Sequence, residues 1–71
     1  MKPAKPKKVI KILKTLGFEH TRTRGSHWRF VHPDGRKISV PIQGNKEIGR
    51  GLLRKILRDA EISLEEFEDM L

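Results

Sequence analysis

The stretch HWRFVHPDGRKISV, residues 27–40, constrains the chain more than any other. Pro33 and Asp34 suit the central positions of a type I turn, and Gly35 accepts the positive φ that follows, so two strands close into a hairpin. A three-residue connection sets His32 opposite Arg36. Phe30 then meets Ile38, and Trp28 meets Val40. Side chains alternate with period two along a strand, so these four share one apolar face, which must be packed. The opposite face carries His27, Arg29 and Val31 from one strand, Lys37 and Ser39 from the other. A slip of one residue would bury Arg29 and Lys37 and expose Trp28, which fixes the register. His27 is therefore expected to point away from the core, among cations. His27 and His32 fall on opposite faces and cannot share a metal ion.

The segments on either side supply the layer that covers the apolar face. Val9, Ile10, Leu13 and Leu16 recur at helical spacing from Lys7, with lysines on the other side. Pro6 suits a first helical turn, Gly17 a left-handed helix end, and Phe18 a fold back onto the last turn. FEHTRT, residues 18–23, reads as a first strand, ended by Gly25-Ser26. After the hairpin comes a loop, PIQGNKEIG, and a second helix starting between Ile48 and Gly51. Leu52, Leu53, Ile56, Leu57 and Ala60 form its buried stripe. Ser63 and Glu66 make a capping box for a short last helix, with Ile62 placed to staple onto Phe67. This order predicts an α+β two-layer sandwich, α-β-β-β-α plus a short C-terminal helix. Its antiparallel three-stranded sheet carries both helices on one face and leaves the other open. Residues 1–6, MKPAKP, are expected to form a disordered basic arm with nothing to bury, and residues 7–71 a single domain.

Size and charge narrow the function. A single core in 71 residues supplies only ~3–5 kcal/mol of net stability. Without cysteine there is neither a disulfide nor a thiolate metal site, and no metal or cofactor is expected. No apolar run approaches membrane-spanning length, and MKPAKPKK precedes an amphipathic segment rather than a signal sequence, so a cytoplasmic protein without a membrane partner is expected. All 16 Lys and Arg lie in residues 1–58 beside three acids, a net of +13, whereas residues 59–71 hold six acids and no base. A basic body with an acidic tail is the footprint of a polyanion binder, because phosphate contacts dominate nucleic-acid affinity.

GSH ahead of an aromatic-rich hairpin, HPDGRKISVP, KEIGRG and LLRKILRDAEIS occur here in order. The ordered set resembles the HicA (YcfA-like) toxins, mRNA interferases of toxin–antitoxin systems, from about Lys7 to Leu71. The resemblance implies a double-stranded-RNA-binding-domain-like fold, metal-independent endoribonuclease activity on mRNA, and a HicB-like antitoxin partner that covers the active surface. It leaves open a homodimer or a toxin–antitoxin hetero-oligomer. It also implies that the catalytic histidine, which follows Gly-Ser at the start of the second strand, is His27. Family members are expected to carry histidine where Gln43 stands, threonine at Leu52 and glycine at Glu61.

On that basis His27 is the candidate general base, taking the proton of a ribose 2′-OH. Arg24, Arg29 and Lys37 are candidates to bind phosphate and offset its growing charge. Ser26 reads as a turn residue or phosphate donor rather than a nucleophile. Lys46 and Arg50 are candidates for phosphate contact near the second helix's N-terminus. Trp28 is expected in the core rather than as a base-stacking platform, and His20 and His32 on the surface. A non-catalytic RNA-binding module of the same fold is the competing reading.

Overall fold

The structure, a computed structural model, describes residues 2–71. Its elements run α1 (Pro6–Thr15), β1 (Glu19–Arg24), β2 (His27–Val31), β3 (Lys37–Pro41), α2 (Arg50–Ala60) and α3 (Leu64–Asp69). The strands make one antiparallel sheet in the order β1-β2-β3. This is the α+β layout expected, consistent with a double-stranded-RNA-binding-domain-like fold. Among the described residues no helix is long and apolar enough to cross a membrane.

The hairpin has the register that its alternation dictates. Phe30 pairs with Ile38 and Trp28 with Val40. His32 N donates to Arg36 O at 2.9 Å, and Gly35 N to His32 O at 2.9 Å. Phe30, Ile38 and Val40 are buried in one cluster with Val9, Ile12 and Leu13 of α1 and Leu53, Ile56 and Leu57 of α2. His27, Arg29, Lys37 and Ser39 are exposed. One sheet face is therefore covered by helices and the other is open. Truncating the fully buried Leu53 to alanine would cost ~2–5 kcal/mol, comparable with the whole net stability of so small a core.

Both long helices end by the same device. After α1, Gly17 N donates to Lys14 O at 3.0 Å and Phe18 N to Leu13 O at 2.9 Å, the paired bonds of a Schellman motif. After α2, Glu61 N bonds Arg58 O and Ile62 N bonds Leu57 O, each at 3.1 Å. Here the left-handed position (φ 58°, ψ 41°) is held by glutamate, where glycine is the usual occupant. α3 starts with the capping box, Glu66 N to Ser63 Oγ at 3.0 Å and Ser63 N to Glu66 Oε1 at 3.2 Å.

Three expectations need correction. The arm of residues 1–6 does bury something: Ala4 exchanges both backbone hydrogen bonds with Ile48, at 3.1 and 2.8 Å, and Ala4 and Pro6 are buried. Met1 lies outside the described residues. His32 is not a surface histidine. Its Nε2 donates to Leu16 O at 3.0 Å, its Nδ1 accepts from Asp34 N at 3.1 Å, and its ring meets Phe18 edge-on at 5.0 Å. The physical reason is that carbonyls in the last turn of α1 lack an intrahelical partner, and Leu16 finds one in this ring. Close approach demands glycine at position 17, where a Cβ would stand 2.9 Å from Nε2. Trp28 lies on the helix-bearing side as expected but is only half-buried, because α1 leaves part of that face uncovered.

Arg36 completes this end of the molecule. Its Nε donates to Asp34 Oδ2 at 2.8 Å and its backbone N to Asp34 Oδ1 at 3.0 Å. Another guanidinium nitrogen donates to Ala60 O at the end of α2, and the group lies 5.1 Å from the Phe18 ring centre. The bond from the Arg36 backbone, aided by the charge and side-chain bond of Arg36, holds the Asp34 carboxyl below its ordinary value of 3.8.

Candidate active site

Two local features of β1 and β2 build the site. The first is the connection between them. Arg24 pairs with His27, leaving Gly25-Ser26 as a two-residue turn. Gly25 has φ +61° and Ser26 has no positive φ, the pattern of a type II′ hairpin turn, which suits the twist of the strands. Ile42 N donates to Ser26 O at 2.6 Å, so the turn is also tied to the exit of β3. With Pro41 opposite it on the other side, the backbone of His27 is held from three directions.

The second feature is a β-bulge at Thr21. The register runs from His20 opposite Phe30 directly to Arg22 opposite Arg29, so one residue of β1 is extra. A bulge re-aims the side chains beyond it. Arg22 and Arg24 consequently share the open face with Arg29 and His27, although His20 belongs to the packed face. His20, exposed as expected, stacks on Trp28 there, with ring centres 4.4 Å apart and planes 12° from parallel. Thr23 Oγ1 and Arg22 O lie 2.7 and 3.1 Å from its Nε2.

Arg22, Arg24, His27, Arg29 and Ser39 line a depression of about 190 Å³ on the open face. Ion pairs among the described residues lie elsewhere: Asp34 with Arg36, and Asp59 with Lys55. Three guanidiniums thus surround one exposed imidazole with no carboxylate to neutralise them. A guanidinium offers a planar fork of donors that matches two phosphate oxygens, and it stays charged at any physiological pH. An imidazole accepts or donates a proton near neutrality. Together they can bind a phosphodiester and move a proton beside it.

The structure brings His27, Arg24 and Arg29 together. Ser26 sits beside them, half-buried in the turn, with its carbonyl already engaged. Lys37 faces the same side but pairs with Val31, beyond the rim of the depression. Lys46 and Gln43 line a separate depression of about 200 Å³ with Pro41 and Leu52. Arg50 is exposed in the first turn of α2 and lines neither. The sequence places Ser39 on this face without singling it out, and Arg22 is the member that sequence reasoning missed altogether. The signal was present in the TRTR run, since Arg22 and Arg24 two apart must share a face.

A small basic α+β domain with an open cationic sheet face belongs to a class suited to phosphate-bearing ligands. More specifically, a family model described as the HicA toxin of bacterial toxin–antitoxin systems matches residues 6–62, and the chain belongs to that family. No curated protein matches it. A toxin of such a pair works opposite an antitoxin partner.

Proposed function

We propose that this toxin is an endoribonuclease acting on mRNA, with His27 as its general base. The observation that carries the reading is the exposed His27 ring in a depression with three arginines that have no acidic partner among the described residues. His27 takes the proton of a ribose 2′-OH, and the freed oxygen attacks the adjacent phosphorus. The bond to the 5′-oxygen breaks, leaving a 2′,3′-cyclic phosphate on one fragment. The 5′-oxygen of the other fragment takes a proton from solvent. Arg22, Arg24 and Arg29 hold the phosphate and offset the charge that builds on it in the transition state. Ser39 stands in the same depression as a further hydroxyl donor.

One positioned base contributes ~10²–10⁴-fold. With no second imidazole among the residues that line the depression, the enzyme is slow, which is sufficient for a toxin that arrests growth. An antitoxin that neutralises it covers the arginine face. Lys37, Lys46, Arg50 and the Ser26 hydroxyl guide longer RNA toward the site through weaker, outlying phosphate contacts.

The test replaces His27 with alanine, checks folding by circular dichroism, and measures RNA cleavage and growth arrest. Loss of both in a folded variant that still binds RNA supports the reading. Undiminished cleavage defeats it, and a parent chain that binds RNA without cutting it is a binding module instead. RNA lacking the attacking 2′-OH must be inert.

A further inference from the structure

Lys7, Lys11 and Lys14 are spaced four and three residues apart, so they share one face of α1. All three are exposed, and among the described residues none has a carboxylate within ion-pair distance. With Ile10, Thr15 and Trp28 they line an open groove of about 600 Å³. The floor of the groove is apolar, since Ile10 and Trp28 are half-buried against the core. The indole stacks against His20, and its backbone pairs in the sheet with Thr23 and Val40. Cations along a rim and an aromatic ring on the floor are what a single nucleic-acid strand requires: phosphates meet the cations and a base meets the ring.

The position of the groove favours RNA over an acidic protein. Trp28 is the neighbour of His27 in β2, so the groove and the arginine depression lie on opposite faces of one strand. Between them runs β1, exposed along its whole length and carrying Arg22 and Arg24. Positive charge therefore continues around the edge of the sheet from the lysines to the arginines. A flexible polyanion can follow such a path. A folded acidic partner cannot follow it without bending.

We propose that the α1 groove is a second RNA-binding track. Lys7, Lys11 and Lys14 hold the backbone of single-stranded RNA, Trp28 and Ile10 take one of its bases, and the strand continues around β1 to His27. This inference rests on the RNA-cleaving reading and extends it to how the substrate is threaded.

Trp28 is the one tryptophan of the chain, so its fluorescence reports on the groove. The full-length His27→Ala chain is titrated with unstructured oligouridylate, with an abasic oligonucleotide of equal length, and with polyglutamate. Oligouridylate is expected to quench Trp28, and the abasic strand to bind without quenching. Replacing Lys7, Lys11 and Lys14 together with glutamine keeps good helix formers on an exposed face, so the variant should melt as the parent does. It should bind RNA at least about tenfold more weakly, and the slope of log affinity against log salt should fall by about 2, since each single-strand phosphate contact contributes about 0.7. In the catalytically intact chain the same substitutions should raise KM and leave kcat near the parent value.

Trp28 emission that ignores saturating RNA overturns the proposal, as does an unchanged salt slope in the triple variant. Equal quenching by the abasic strand removes the base contact. Polyglutamate that quenches as strongly and displaces RNA assigns the groove to an acidic protein instead. Failure of the ribonuclease reading looks different: RNA quenches Trp28 as expected, but the parent chain leaves it uncut.

Discussion

His27 opens β2 and His32 directly follows its last residue, each with arginine nearby, and they share almost nothing else. Both ring nitrogens of His32 are engaged within the chain, one by Leu16 O and one by Asp34 N. Its arginine, Arg36, is committed to Asp34 and to the end of α2. At the other end His27 is exposed, and Arg22, Arg24 and Arg29 have no carboxylate among the described residues. The same side chains thus close the fold at one end and remain available at the other. Partners, not residue type, separate a histidine that supports the structure from one that can meet a substrate.

Exchanging the two histidines for alanine tests this contrast most severely. His27→Ala should lower RNA cleavage by ~10²–10⁴-fold and shift stability by no more than ~0.5 kcal/mol, read by cleavage assay and thermal melting. His32→Ala should do the reverse. It strands Leu16 O and should destabilise by ~1–3 kcal/mol, while the folded fraction still cuts RNA. Equal loss of activity in both, at matched folding, would erase the distinction.

The arginines give a second comparison. Arg36→Ala should cost ~1–3 kcal/mol through its lost bonds to Asp34 and Ala60. Arg24→Gln should leave the melting temperature in place and weaken RNA binding by about tenfold, the equivalent of one charge-assisted contact. A smaller effect is expected where α2 ends beside Arg36. Glu61→Gly relieves a left-handed glutamate and should stabilise by ~1 kcal/mol without altering cleavage.

The smallest effect is acidic. Asp34 has a folded pKa below its unfolded value, chiefly through the Arg36 backbone N–H. The stability it adds is complete above the unfolded value and disappears as pH falls through the folded one. Urea titrations below about pH 4 should therefore show a decline in the parent that Asp34→Asn lacks.

Much of this arrangement is legible in the sequence because it follows from local rules. The Pro-Asp-Gly turn and strict alternation set the β2–β3 register, and with it the outward direction of His27. Ser63 and Glu66 announce α3 by a contact three residues long. What the sequence leaves open depends on distant partners. His32 finds its acceptor sixteen residues away, and Ala4 finds Ile48 across the whole domain. The bulge at Thr21 escapes for another reason. EHTRTR alternates equally well on either face, and only pairing with β2 decides which residue is extra. The half-exposure of Trp28 depends on how far α1 extends over the sheet, which alternation does not encode.

The bulge has a further consequence for the life of the chain in a crowded cell. β1 is an outermost strand with every residue exposed, and such a margin invites a neighbouring molecule to add its own strand and seed aggregates. An interrupted ladder offers a poor template, and the fixed positive charges at 22 and 24 repel a second copy laid alongside. The irregularity that gathers the arginines also keeps the molecules apart.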